Sequence, residues 1–312
     1  MEYKSFDEII ARVKAAPAAK RMAIAAAADE HSLEAALEAR KSGLAEPVLV
    51  GNKKEILAIL GKLLSGEKSL SFGKQGEMIP ESSIYDEPDD ASACRLAVSL
   101  VREGKADFLM KGLVDTKVLL GAVVDKTTGL NKGVLMSHVG LFEVPGYHKL
   151  LTIVDGAMVP YPTLEQKKQI IENTVNILCS AGYDCPRVGV LACVEKVNPK
   201  MPETVEAEEL ARMNARGEIK NCIINGPVSY DCAMSREIAE QKGYTGEVSG
   251  NVDILIAPNI HAGNIMVKML TCTCGAKLAG IITGAACPIV LTSRGSSAEE
   301  KYLSIALSAA VS

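Results

Sequence analysis

Short apolar runs alternate along this chain with segments of helical period, and that alternation sets the first expectation of its architecture. Met22 to Ala28 is a small-residue apolar run closing on Asp29, and a helical pattern follows from Ser32 to Lys41 with Gly43 as its stop. Pro47-Val48-Leu49-Val50 predicts a second strand ending at Gly51-Asn52, and Lys53 to Leu64 a helix. Ser65 to Pro88 is polar and broken by Gly and Pro, which predicts loop with one short strand. Asp89-Asp90 opens a helix to about Arg102, with acidic residues at its positive end. Asp107 to Met110 predicts a strand, Lys111-Gly112 a tip, and Thr116 to Val124 a helix.

The pattern changes after Val134. Val139 to Glu143 and Leu150 to Val154 flank Pro145-Gly146, a hairpin signal rather than a crossover, and so a candidate boundary. A long helix from Leu164 to Ala181 follows. The alternation then resumes, with strands at Val188–Ala192, Cys222–Ile224, Ile254–Ala257 and Gly280–Ile282, and helices at Thr204–Asn214, Ala233–Lys242 and Ala262–Thr271. A last apolar run, Ile289-Val290-Leu291, stops at Ser-Arg-Gly-Ser-Ser, where a helical pattern begins at once. Repeated strand–helix units with wholly apolar strands predict mostly parallel sheet flanked by helices.

Composition narrows the chemistry. The 312 residues are 48% hydrophobic and 23% charged with net charge −4, the balance of a globular protein with ample core. Nothing in that balance suggests a nucleic-acid surface, and no apolar stretch is long enough to span a membrane. The charged, amphipathic N-terminus is unlike a secretory signal, so a cytoplasmic setting is expected. The nine cysteines include no CxxC pair and no His at finger-like spacing. Most sit in apolar settings such as VLAC and CIING, which predicts buried thiols without structural disulfides. A GxGxxG, a GxxxxGK[ST], an HExxH and a GxSxG are all absent. Of the four histidines, His138 is expected to pack in the hairpin and His261 to shape a loop. No metal is expected.

What remains is a set of strand-to-helix tips rich in Gly, Ser, Thr, Asn, Lys and Arg: Lys111-Gly112 with Thr116-Lys117, Asn225-Gly226 with Asp231, Gly263-Asn264, and Ser293 to Ser297. In open α/β sheets ligands bind at the carboxyl ends of strands, and a helix N-terminus there offers N–H groups to an anion. Ser297-Ala-Glu-Glu300 fits a capping box, with Glu300 reaching back to the Ser297 N–H. Capping does not explain Arg294, whose guanidinium at a strand tip suits a phosphate or carboxylate, a salt bridge being the competing role.

The run from Pro288 to Glu300, together with NGPVSYDCA (225–233), SGNVDILIAPNIHAGNI (249–265) and GAKLAGIITG (275–284), resembles the phosphate acetyl/butyryltransferase family. MKGLVDTKVLLGAV (110–123) and SHVGLFEVP (137–145) lean towards its butyryl branch. The resemblance covers nearly the whole chain. It implies transfer of a short acyl group between CoA and inorganic phosphate, with CoA as substrate or product and no other cofactor. It implies two α/β domains with an interdomain cleft, similar to isocitrate/isopropylmalate dehydrogenases, in a homodimer or higher homo-oligomer. Applied here, residues 1–143 plus 293–312 form the first domain and 144–292 the second.

By the same resemblance, Ser293 and Arg294 stabilise developing charge and hold phosphate or CoA. Glu300 stands where the acetyl branch has an Asp proposed as base for the CoA thiol. Lys111, Lys117 and Lys132 fall in the region of that branch's CoA-binding arginines. Phosphate acetyl transfer and a non-catalytic CoA-binding role on the same fold are the alternatives. A decarboxylating hydroxy-acid dehydrogenase needs an aspartate cluster that Asp231 and Asp253 do not supply.

Overall fold

The computed structural model describes residues 2–65, 79–291 and 296–312. The chain runs α1 (Phe6–Lys14), β1 (Lys20–Ala25), α2 (Glu30–Lys41), β2 (Ala45–Gly51), α3 (Lys53–Ser65), β3 (Ile84–Asp86), α4 (Asp90–Arg102), β4 (Phe108–Lys111) and α5 (Thr116–Val124). The hairpin strands β5 (Ser137–Glu143) and β6 (Leu151–Val154) follow, then α6 (Leu164–Ser180), β7 (Arg187–Leu191), α7 (Pro202–Ala215) and β8 (Ile223–Val228). The chain continues through α8 (Tyr230–Met234), α9 (Arg236–Gln241), β9 (Ile254–Ile256), α10 (Ile260–Cys272), β10 (Lys277–Thr283), β11 (Ile289–Val290) and α11 (Ala298–Val311).

Most of the helices begin where a short polar side chain satisfies a first-turn N–H group, α7 and α8 being exceptions. Asp29, Asp89 and Asp115 accept from Ser32, Ser92 and Lys117 at the starts of α2, α4 and α5. Thr163 and Gln166 close a full capping box on α6.

Contacts divide the described chain into two compact units. The first comprises Ile9–Val134 with Ala279–Ser312, the second Leu135–Leu278 with the N-terminal residues through Glu8. These limits differ from the 143/144 and 292/293 division expected from sequence. Hairpin strand β5 pairs antiparallel with β6, and β10 pairs antiparallel with β11, so each hairpin keeps its partner. The N-terminal residues are held in the second unit, where the Tyr3 hydroxyl donates to the Ala181 carbonyl and Phe6 N to the Glu143 carboxylate.

In the first unit the sheet order is β3-β2-β1-β4-β11-β10, parallel except at β10. Met22 to Ala25 of β1 are wholly buried, as expected of a strand covered on both faces. Met22, Ile24, Phe108 and Met110 pack with Leu33 and Leu37 of α2 and Ile305 of α11. In the second unit the order is β5-β6-β9-β7-β8, parallel beyond the hairpin. Leu255, Ile153 and Val228 pack there with Val267 and Leu270 of α10 and Cys232 of α8.

Two local expectations are corrected. The helix expected over 233–242 is two, because Ser235 leaves helical backbone and caps α9 by accepting from Ile238 N. Strand β8 runs four residues beyond Ile224, to Val228.

Candidate functional site

In the first unit the tip after β4 is shaped by its crossing over the end of β1. Gly112 N donates to the Ala25 carbonyl at 2.8 Å and Leu113 N to that of Ala26 at 3.0 Å. A Cβ on Gly112 would stand 2.7 Å from the Ala25 oxygen and closer still to that of Ala26, so only glycine fits. The Lys111 ammonium donates to the carbonyls of Gly112 and Val114, both at 3.1 Å, and so braces its own tip. Thr116 opens α5, and Lys117 is exposed on its first turn.

Val290, the last residue of β11, lies in register with Met110, one residue before that tip. Because β11 and β4 are parallel, the chain leaves β11 at the same carboxyl edge. Ser293 and Arg294 lie outside the described residues. The chain is described again at Ser296, and Ser297 accepts from Glu300 N at 3.0 Å as N-cap of α11. The expected capping box is only half made, since the Glu300 carboxylate accepts from the Ser296 hydroxyl at 2.7 Å. Glu299 and Glu300 both occupy the first turn, so this helix start already carries its own counter-charge.

In the second unit Asp155 follows β6. Its carboxylate accepts from Ala157 N at 2.7 Å, Met158 N at 2.9 Å and His138 N at 3.0 Å. Gly263, in the first turn of α10, abuts this loop: a Cβ there would stand 3.0 Å from Gly156 Cα and closer to the Asp155 oxygen. The Asn264 amide donates to the Gly156 carbonyl at 3.0 Å. Gly263 and Asn264 thus fasten α10 to the β6 tip. The α10 N-terminus carries a neutral Asn259 cap and no acidic residue in its first turn. Sequence reasoning passed over Asp155, although Asp-Gly directly after an apolar strand is a turn signal that marks it. His138 lies in β5, its Nδ1 buried with no hydrogen-bond partner among the described residues. Burial pushes its pKa down while Asp155 opposes.

Asn225 and Gly226 are not at a tip, contrary to expectation. Both lie inside β8, because the strand runs on to Val228. The Asn225 side chain accepts from Val248 N at 3.1 Å, and a Cβ on Gly226 would meet Val190 at 2.9 Å. The tip is instead Ser229, whose hydroxyl faces both Glu195 and Asp231. The Lys242 ammonium lies 2.8 Å from Asp231 and 3.2 Å from Glu195. Hydrogen bonds from Lys242 and Ser229 hold the Asp231 carboxyl down at about 2. Glu195, Asp231 and Cys232 form the one group among the described residues with metal-ligand spacing. Lys242 supplies its positive charge, so a cation would compete with that ammonium.

A cavity of about 320 Å³ opens at the carboxyl ends of β7 and β9. Leu191, Ala192, Met201, Pro258, Ala262 and Met266 form its apolar walls, with Cys193, Glu203 and Tyr230 beside them. Cys193 corrects the expectation from VLAC: β7 ends at Leu191, and Cys193 lies exposed beyond it. Cys185, Cys272 and Cys274 are exposed as well, whereas Cys94, Cys222, Cys232 and Cys287 are buried, and all nine are free thiols. The cavity was missed in the sequence because its walls come from four separate segments. A second cavity, about 390 Å³, lies in the first unit by Arg102, Asp107 and Lys132, where β4 begins.

Parallel α/β units with a ligand-sized apolar cavity at strand carboxyl ends define a small-molecule-binding class, and enzymes of that class place chemistry on the same edge. The model of the family described as phosphate acetyl/butaryl transferase matches residues 86–309. A phosphate butyryltransferase of Clostridium acetobutylicum is 44% identical over 99% of this chain and 98% of its own length. A phosphate acetyltransferase of Thermotoga maritima is 42% identical over 93% of this chain and 94% of its own. The crystal structure of a branched-chain phosphotransacylase from Enterococcus faecalis V583 superposes with a TM-score of 0.77 at 29% identity, covering 93% of this chain and 98% of that one. The chain belongs to the phosphate acetyl/butyryl transferase family and is a phosphate acyltransferase. No helix of the described residues is long and apolar enough to cross a membrane.

Proposed function

We propose that this chain interconverts butyryl-CoA plus inorganic phosphate with butyryl phosphate plus CoA, without a further cofactor. One observation carries the reading: a phosphate butyryltransferase is 44% identical across nearly the full length of both chains. A phosphate oxygen attacks the thioester carbonyl carbon, the carbon–sulfur bond breaks, and the sulfur leaves as thiolate and takes up a proton. Arg294, with Ser293 beside it, binds and orients the dianion and offsets the charge that develops in the tetrahedral transition state. Thiolate leaves with modest help, its pKa being near that of a free Cys thiol, about 8.5. In the reverse direction Glu300 removes the thiol proton.

Geometry supports part of this assignment and redirects the rest. On the side before 292–295, β11 ends at Val290 in register with Met110, just short of the Lys111–Lys117 tip, at the edge where parallel sheets take ligands. Lys111, Gly112, Gly263 and Asn264 serve by holding tips in shape, and Asp231 by locking α8 to α9 through Lys242. Acetyl transfer is the second reading, favoured by 42% identity to an acetyltransferase. A homodimer in the cytoplasm completes the proposal, and sedimentation of the pure protein reads the dimer.

The test mixes pure protein with phosphate and an acyl-CoA panel and follows free thiol. Phosphate-dependent release fastest with butyryl-CoA is expected. Release fastest with acetyl-CoA establishes the second reading, and no phosphate-dependent release with any acyl-CoA overturns the proposal.

A further inference from the structure

We propose that the cavity at the ends of β7 and β9 receives the acyl chain of the acyl-CoA, and that Met201, Ala262 and Met266 set the chain length and branching it accepts. This rests on the transferase reading above. Of the substrate parts, only the acyl tail lacks polar groups. Phosphate is a dianion, and the pantetheine arm of CoA carries two amides, whose burial without partners costs several kcal/mol. Six of the nine lining residues are apolar, Leu191, Ala192, Met201, Pro258, Ala262 and Met266, and only Glu203 and Tyr230 bring a carboxylate or hydroxyl to the wall, beside the Cys193 thiol.

Position favours the same occupant. Ala262 immediately precedes Gly263-Asn264, which fasten α10 to the β6 tip, and Tyr230 immediately precedes Asp231. The cavity therefore sits among the segments that carry the family motifs. Its size carries the inference further. About 320 Å³ corresponds to roughly ten waters at ~30 Å³ each. A butyryl tail, three carbons beyond its carbonyl, leaves part of that space unfilled. Two methionines in the wall adapt to irregular shapes. Branched and five-carbon acyl groups are therefore accepted as well as butyryl. Acetyl, which buries two fewer methylenes, falls behind butyryl by about fifteenfold in kcat/KM, at roughly fourfold per methylene.

Two experiments test the assignment. Ala262→Leu fills the cavity. It is expected to lower kcat/KM for butyryl-CoA about tenfold while changing acetyl-CoA less than about twofold. An equal loss for both substrates overturns the assignment. The second uses the unaltered chain, so it does not depend on a variant folding: the rate of Cys193 alkylation by iodoacetamide, mapped by mass spectrometry. Cys185 and Cys272, exposed elsewhere, are the internal controls. Butyryl-CoA is expected to slow Cys193 alone, and more than CoA or acetyl-CoA does. Equal protection by CoA places the pantetheine arm there and overturns the proposal, as does no protection. If the wild-type chain turns over no acyl-CoA, the transferase reading fails first. If it turns over but neither experiment discriminates by acyl length, the cavity assignment alone fails.

Discussion

The two edges of the second unit's sheet are built from opposite materials. At the amino edge Lys149, Asp253 and Arg187 stand just before or at the starts of β6, β9 and β7. Lys149 and Asp253 are 2.6 Å apart with side chains only 1% exposed. The Lys149 ammonium also donates to the Asn251 carbonyl at 2.9 Å, Arg187 N donates to Asp253 at 2.7 Å, and the Arg187 guanidinium pairs with Glu2 at 2.7 Å. Burial pushes the Asp253 carboxyl up and the Lys149 charge pulls it back. At the carboxyl edge lie an apolar cavity, an exposed thiol and a helix start without acidic residues. At the amino edge the charged groups are buried against one another; at the carboxyl edge the hydrogen-bonded tips of Asp155 and Ser229 stand beside a cavity with mainly apolar walls.

The largest test of that contrast is Lys149→Ala. Removing one partner strands the Asp253 charge, and a loss of about 3–5 kcal/mol in unfolding free energy is expected from urea titration. Lys149→Met with Asp253→Leu recovers most of it, because no charge is then left buried. A loss under ~1 kcal/mol in the single variant would show the pair to be solvated and the contrast false.

Gly263→Ala probes the opposite edge. The added methyl collides with the backbone of the β6 tip, and a cost of about 1–3 kcal/mol is expected, again in urea. Unchanged stability would show that α10 is not seated on that tip.

The smallest effect concerns Asp231. Its carboxyl is depressed from 3.8 to about 2, so its ionised form stabilises the fold above pH ~4, and that contribution disappears as pH falls towards 2. The group is partly exposed and screened, so the contribution is below about 1 kcal/mol. Asp231→Asn should therefore be less stable than wild type above this window and equal to it below. A gap that persists at the acid end would assign the effect to something other than the carboxylate.

Most of the elements were legible in the sequence because apolar runs and capping aspartates are local signals. Asp89 before α4 and Gly112 after β4 are examples. What was not legible depends on partners distant along the chain. Nothing near Asn225 says that β8 continues past it, since the residues that require this are in β7, paired from Gly189 to Leu191. The cavity walls span residues 191 to 266, and no window of sequence shows them together. Arg294 was legible as an unexplained cation at a strand-to-helix tip, the roles of Ser293 and Arg294 in the reaction only through family resemblance, and both residues fall outside the described ones.

Arg294 is also where the account is most directly tested. Arg294→Ala, checked for intact fold by circular dichroism, is assayed for phosphate-dependent thiol release from butyryl-CoA. A fall of about two to three powers of ten in kcat/KM is predicted, the loss of a charge partner to the transition state. Turnover close to wild type in that variant would contradict it.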